Sequence, residues 1–209
     1  MPPIAANWSH HPRMRHPLAQ FTGMLALALA WLFAGTQGSV ADIRYKSYAA
    51  KLMRSLPAGA VVRPDLEAQL DQLASGTRRK NGRGPLKASD VQRAGARAQA
   101  AEMILGNFVG HHTRAGFDFG DRFRAYMPDF EGLRGENAAR DRRNAQNDAA
   151  KARRLFGQWL KSRRHNRNLN NPEYRYVSTG VIQIGHHLYA TQIYWAPERK
   201  RPANALFSN

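Results

Sequence analysis

With no cysteine in the chain, acid–base and metal chemistry fall to its histidines and carboxylates. A thiolate zinc centre, a thiol nucleophile and a disulfide framework are all excluded. A catalytic zinc site needs about three protein ligands and an open position. His111, His165 and Glu136 are the set the sequence offers, with no ligand pair on a single helix face. Without a metal, Glu136 as general base partnered by His111 supports hydrolysis only if the two lie within hydrogen-bond reach. The same two residues also read as a buried Glu–His pair tying the loop after a helix to the Gly135 segment. That structural or ligand-orienting role weighs above catalysis, because perturbed pairs arise in structural settings too. Ser162 and His165 are spaced i,i+3, which can face one way on a helix, yet no third residue or oxyanion motif accompanies them. His186-His187 marks a hairpin turn more simply than a metal site.

Charge sets the second constraint. The 209 residues carry 32 basic and 15 acidic side chains, a net charge of +17. Such a balance favours anionic partners. Arg140, Arg142 and Arg143, then Lys151, Arg153 and Arg154, then Lys161, Arg163, Arg164 and Arg167 follow one another closely, and one positive face would bind polyanions in a salt-dependent way. No zinc-finger, RNA-recognition or helix-turn-helix pattern accompanies them.

The elements that must position these groups begin after an N-terminal leader. Arg13 and Arg15 precede the apolar run Phe21 to Ala34, and Ser39 and Ala41 supply small residues, which predicts a secretory signal peptide cut after Ala41. The run is short for a membrane span, which needs about 20 apolar residues; a retained signal anchor is the alternative. Residues 42–60, with Pro57 and Gly59, are expected to form a linker. From Val61 a helix is predicted, with Pro64 in its first turn, Leu66, Leu70 and Leu73 on one face, and Gly76 as its end. The stretch Gly76 to Lys87, carrying Arg78, is then a loop. Ser89 caps a second, alanine-rich helix closed by Gly106. A third spans Ala145 to Leu160, with Phe156 and Trp159 on its buried stripe. Tyr176 to Ile184 and Leu188 to Trp195 are strands of a hairpin turned at Gly185-His186-His187. Gly135-Glu136-Asn137 suits a tight turn, its Gly and Asn permitting the bend. Helices first and paired strands last argue for an α+β layered domain.

Three segments then carry a resemblance. Gly84-Pro85-Leu86, the alanine-rich helix, Asn107-Phe108-Val109-Gly110-His111, Gly116 and Asp121-Arg122 form the first. Gly135-Glu136-Asn137-Ala138-Ala139 is the second. The third runs from Trp159 through Ser162, His165, Asn168, Leu169 and Asn171-Pro172 to Thr191-Gln192-Ile193-Tyr194-Trp195. In this order they resemble the CAP superfamily (cysteine-rich secretory proteins, antigen 5 and pathogenesis-related proteins; the SCP-like extracellular domain), in its bacterial branch. The resemblance implies a three-layer α-β-α sandwich and a cleft with two histidines and two acids that in some members holds a divalent metal. His111, rather than His112, takes the first histidine position and Glu136 one acidic position. Ser162 stands near the second acid and Tyr189 near the second histidine, so the tetrad is incomplete; His165 stands in for part of the missing imidazole.

The expectation is therefore an α+β, three-layer α-β-α sandwich over 61–196, preceded by a signal peptide (1–41) and a linker (42–60) and followed by a basic tail (197–209). Its function is expected to be that of an exported, non-enzymatic binding module, secreted or periplasmic. A cleft at His111, Glu136, Ser162, His165 and Tyr189 and a basic surface of Arg153, Arg154, Lys161, Arg163 and Arg164 would meet lipid or anionic envelope ligands. Nucleic acid is disfavoured as a partner by export. The alternative is a metal-assisted hydrolase of envelope substrates, with zinc on His111 and Glu136.

Overall fold

The computed structural model describes residues 40–145 and 147–198. A helix over 40–54 (α1) comes first. It is followed by β1 (Ala60–Val62), α2 (Pro64–Lys80), β2 (Lys87–Ala88), α3 (Arg93–Gly106), α4 (Phe119–Tyr126), β3 (Gly132–Asp141), α5 (Asp148–Lys161), α6 (Arg163–Asn170), β4 (Tyr176–Ile184) and β5 (His187–Pro197). The strands run in the order β1-β4-β5-β3, with the short β2 pairing β4 in parallel. β4 and β5 form the expected hairpin, with Ile184 opposite His187 and Gly185 at φ 53°.

Side chains alternate across the sheet because successive Cβ atoms of a strand point to opposite faces. Leu188, Ala190 and Tyr194 of β5 join Val177 and Val181 of β4 against Leu66 and Leu70 of α2, Leu155, Phe156 and Trp159 of α5, and Leu169 of α6. On the opposite face Ile182 and Tyr189 meet Leu52 of α1 and Ala100, Ala101 and Met103 of α3, while Ile193 and Trp195 meet Ala96 of α3 and Phe123 of α4. The result is the α-β-α sandwich expected from sequence. The alanine-rich face of α3 has a direct cause in Gly180 of β4: a Cβ there would strike the α3 backbone at Ala96 and Arg97. Helix and sheet approach to backbone contact, and only small side chains fit between them.

Several local readings are corrected. Residues 42–60 are not a linker: α1 buries Tyr45, Ala49 and Leu52 in the core. Its apolar residues at 45, 48, 49 and 52 follow the i, i+3, i+4, i+7 spacing of a buried helical stripe. The α2 helix runs through Gly76 to Lys80, where a helical glycine costs about 1 kcal/mol. What holds this last turn is Arg78, which is fully buried and donates to the carbonyls of Gly84, Leu169, Asn171 and Tyr174. It is a core clamp on the C-terminal end of α6, not a loop cation. Ser89 does not cap α3; its N–H pairs with Val177 O as the chain leaves β2, and the helix starts four residues later. Asn147, not Ala145, starts α5, its side chain accepting from Ala150 N–H. Gly135-Glu136-Asn137 lies within β3 rather than in a turn. The leader over 1–39 and the tail from 199 lie outside the described residues.

The correction at α1 has a measurable consequence. Tyr45 is fully buried and packs edge-on to Phe117 and Tyr126 at centroid distances of 5.3 and 6.1 Å. Tyr45→Ala is expected to lower unfolding free energy by about 3 kcal/mol in chemical denaturation, where a substitution in a linker would leave the midpoint unmoved.

Candidate functional site

The edge strand β3 supplies the site's central carboxylate. Alternation sends Glu136 toward the α3–α4 layer and Asn137 toward α6. Gly135 has no side chain because the hydroxyl of Tyr174 and the amide of Asn168 occupy the space a Cβ would take. One tripeptide thus serves both layers.

His111 comes from the loop between α3 and α4. Asn107, left-handed at φ 54°, ends α3 and turns the chain. The loop is then pinned from below: Gln99 donates to Gly110 O at 2.8 Å, and the buried Glu102 accepts from Arg114 N–H at 2.8 Å and from the Tyr48 hydroxyl of α1 at 2.7 Å. A reciprocal capping box of Asp118 and Asp121 starts α4 and so fixes Arg122 one turn in.

Arg122 Nη2 donates to Glu136 Oε1 at 2.8 Å, to Oε2 at 3.0 Å and to His111 O at 3.0 Å. His111 Nδ1 lies 2.8 Å from Glu136 Oε1. Both charged side chains of the ion pair are 1% exposed, whereas the His111 ring is 34% exposed. Burial by itself would raise the Glu136 carboxyl; the Arg122 charge, with hydrogen bonds from His111 and Arg122, outweighs it and holds the group below its ordinary value. Glu136 is therefore ionised, His111 Nδ1 donates to it, and His111 Nε2 is the atom left for solvent or ligand. Tyr45 of α1 lies beside this pair; burial raises its hydroxyl pKa and the nearby Arg122 charge only partly offsets that, so Tyr45 stays protonated.

His165 completes the opening from α6. Its ring centroid lies 6.4 Å from that of His111. Burial, then the proximity of His111 and of Arg164, lowers its pKa, which favours the neutral imidazole. Asn137 Nδ2 donates to His165 O at 3.1 Å, and Asn168 Nδ2 donates to Asn137 Oδ1 at 3.0 Å and to Glu136 O at 3.2 Å. These bonds seat α6 on β3.

His111, Glu136 and His165 are thus brought together, and His111 rather than His112 makes the contact. One expected member of the site stands elsewhere. Tyr189 is opposite Arg140 in the register, four residues or about 13 Å along the strands from Glu136, and packs among Leu52, Ala101 and Met103. Ser162 ends α5 and caps α6, its hydroxyl accepting from His165 N–H at 3.5 Å; that role does not point to a nucleophile. The basic surface also changes: Arg154 is tied to Asp141 at 2.6 Å and donates to Arg143 O, so it is not a free surface cation. Arg122, Glu102 and Tyr45 were not foreseen as site residues. Arg122 was visible only within the Asp121-Arg122 pair, and Tyr45 only in the helical spacing of 42–60.

The donor set fits a divalent cation poorly. Both Glu136 oxygens already face the Arg122 guanidinium, whose positive charge lies where a metal would need negative charge. Among the described residues no group of three or more His, Asp or Glu side chains is arranged to hold a metal ion. A zinc site with about three protein ligands is not assembled among the described residues.

Breaking the pair on one side leaves a buried charge uncompensated. Glu136→Gln is expected to cost about 3–5 kcal/mol in denaturant unfolding, and the Arg122→Met/Glu136→Leu double variant distinctly less. The sign with pH follows from the depressed carboxyl. Stability from Glu136 is fully present above its unfolded-state value and drains away as pH falls through the lower folded value. His165, also depressed, adds a loss in the same direction as pH falls below its ordinary value of 6.5. Denaturation midpoints across acid pH should fall accordingly, with the low-pH part absent in the double variant.

Comparison with known proteins agrees with this architecture. The chain resembles an outer surface protein from Borrelia burgdorferi at TM-score 0.57 and 16% identity, covering 66% of this chain and 98% of that one. It also resembles an extracellular protein containing an SCP domain from Bacillus anthracis at TM-score 0.50 and 24% identity, covering 63% of this chain and 40% of that one. Among curated proteins none matches the sequence. The profile of the CAP, or cysteine-rich secretory protein, family matches residues 72–195, a span that contains His111, Arg122, Glu136 and His165, and the chain belongs to that family.

Proposed function

We propose that the protein is an exported binding module rather than an enzyme. It takes a ligand at the opening between His111 and His165 and meets lipid or anionic envelope material through its basic surface. The observation that carries the reading is the engagement of both Glu136 oxygens by the buried Arg122. A general base must be free to take a proton near the operating pH, and a carboxylate neutralised by a guanidinium and held below its ordinary pKa is tuned the other way. Its role is to orient His111, leaving Nε2 facing outward as a hydrogen-bonding group for a ligand. Export is supported by the leader pattern over 1–41 and by likeness to proteins described as outer-surface and extracellular. The alternative reading for this chain is a metal-assisted hydrolase of extracellular or cell-envelope substrates at His111 and Glu136, and the Arg122 charge argues against it.

The test is hydrolysis of p-nitrophenyl acetate and p-nitrophenyl phosphate by pure protein, with and without added zinc, compared with His111→Ala. We expect both proteins to match the protein-free rate. Turnover in the wild type that His111→Ala abolishes would establish the enzyme instead.

A further inference from the structure

Five cations on α5 and α6 have no ion-pair partner among the described residues. Arg153, Lys161, Arg163, Arg164 and Arg167 are exposed, and none forms an ion pair with the described residues, unlike their neighbour Arg154. Between Asp148 and Asn170 the one acid is Asp148 itself, which Arg63 holds at 2.5 Å. Residues 1–39 and 199–209 contain no aspartate or glutamate, so neither segment brings an acidic side chain to this surface.

An apolar side chain sits among these charges. Leu160 is 37% exposed, and the spacing of 153, 157, 160 and 161 places Arg153, Gly157, Leu160 and Lys161 along one flank of α5. Gly157 has open space where a Cβ would be, which keeps that flank low. Lys161 leads across Ser162 to Arg163, Arg164 and Arg167, which share a face of α6 by their i,i+3 and i,i+4 spacing.

A soluble polyanion rewards the cations and gives nothing for the leucine. The interface of an anionic bilayer rewards both, because phosphates attract the arginines while an apolar side chain settles among the head groups and upper acyl chains. We propose that this flank docks on a membrane surface rich in anionic phospholipid, with Leu160 inserted and the arginines on lipid phosphates. The inference rests on the binding-module reading and names the partner of its basic surface. Since α6 also carries His165, docking would set the ligand opening beside the lipid surface.

The test is co-sedimentation of the full chain with vesicles of phosphatidylcholine alone or mixed with phosphatidylserine. The neutral vesicles measure what the apolar leader contributes. The excess on phosphatidylserine is expected to fall as salt rises, to drop on the order of 100-fold in R163Q/R164Q/R167Q, and to drop about tenfold in Leu160→Ser. Retention of Leu160→Ser on heparin should match the wild type. Equal partition onto both vesicle types would overturn the proposal. So would arginine-dependent retention on heparin without any excess on phosphatidylserine, which would make the partner a soluble polyanion. The readout does not use His111 or Glu136, so failure here leaves the ligand opening standing, whereas turnover in the hydrolysis assay would remove the binding-module reading and leave the vesicle result intact.

Discussion

The site depends on one buried ion pair. Arg122 and Glu136 come from different layers, one from α4 and one from the edge strand, and each loses its hydration when the layers close. Burying two charges is expensive unless the geometry is close and the remaining donors and acceptors are used. The pair meets that condition on the carboxylate side: Glu136 accepts from Arg122 through both oxygens and from His111 through one. The third bond of Arg122 Nη2, to His111 O, means that the same guanidinium holds both the backbone and, through Glu136, the ring of His111. Toward α1 the guanidinium lies beside the buried Tyr45 hydroxyl, whose raised pKa its charge partly offsets.

Everything around the pair serves to keep its members in register. The capping box sets the start of α4, Glu102 and Gln99 hold the loop, and α1 closes the outer side with Tyr45 and Tyr48. On the far face of the sheet a second polar network does comparable work. Asp71 of α2 bonds Thr179, Gln192 donates to Thr179 and accepts from the Tyr194 hydroxyl, and Tyr194 accepts from Asn137, which holds His165 O. Burial pushes the Asp71 carboxyl up to about 6, so this network opposes stability as pH rises through that value, the reverse of Glu136. Arg78 anchors the other end of α6. The helix bearing His165 is thus clamped at both ends by groups that reach through the core.

Much of this was legible in the sequence where one element carries its own signal. The β4–β5 hairpin follows from β-branched and aromatic runs flanking a glycine turn, and the close packing of α3 from its alanines. The His111–Glu136 pair is legible as a structural tie from the sequence alone. The misses share a different cause, since each depends on a partner far along the chain. Arg78 reads as one cation in a basic loop, and only the carbonyls of Gly84 and of Leu169 to Tyr174 turn it into a core residue. Tyr189 fits a site position by spacing, yet strand register carries it away. Arg154 cannot be told from Arg153 without Asp141. The α1 helix is hard to read for a plainer reason: its stripe is short, and Pro57 and Gly59 break the pattern directly after it.

The most direct test of the central claim is nitrogen-15 NMR of the histidine side chains, recorded while zinc is added to stoichiometric excess. His111 is expected to carry its proton on Nδ1, hydrogen-bonded to a carboxylate, and neither His111 nor His165 is expected to shift as zinc is added. Stoichiometric shifts of both rings to metal-bound positions would contradict it, because the Arg122 charge could not then be what Glu136 is built to hold.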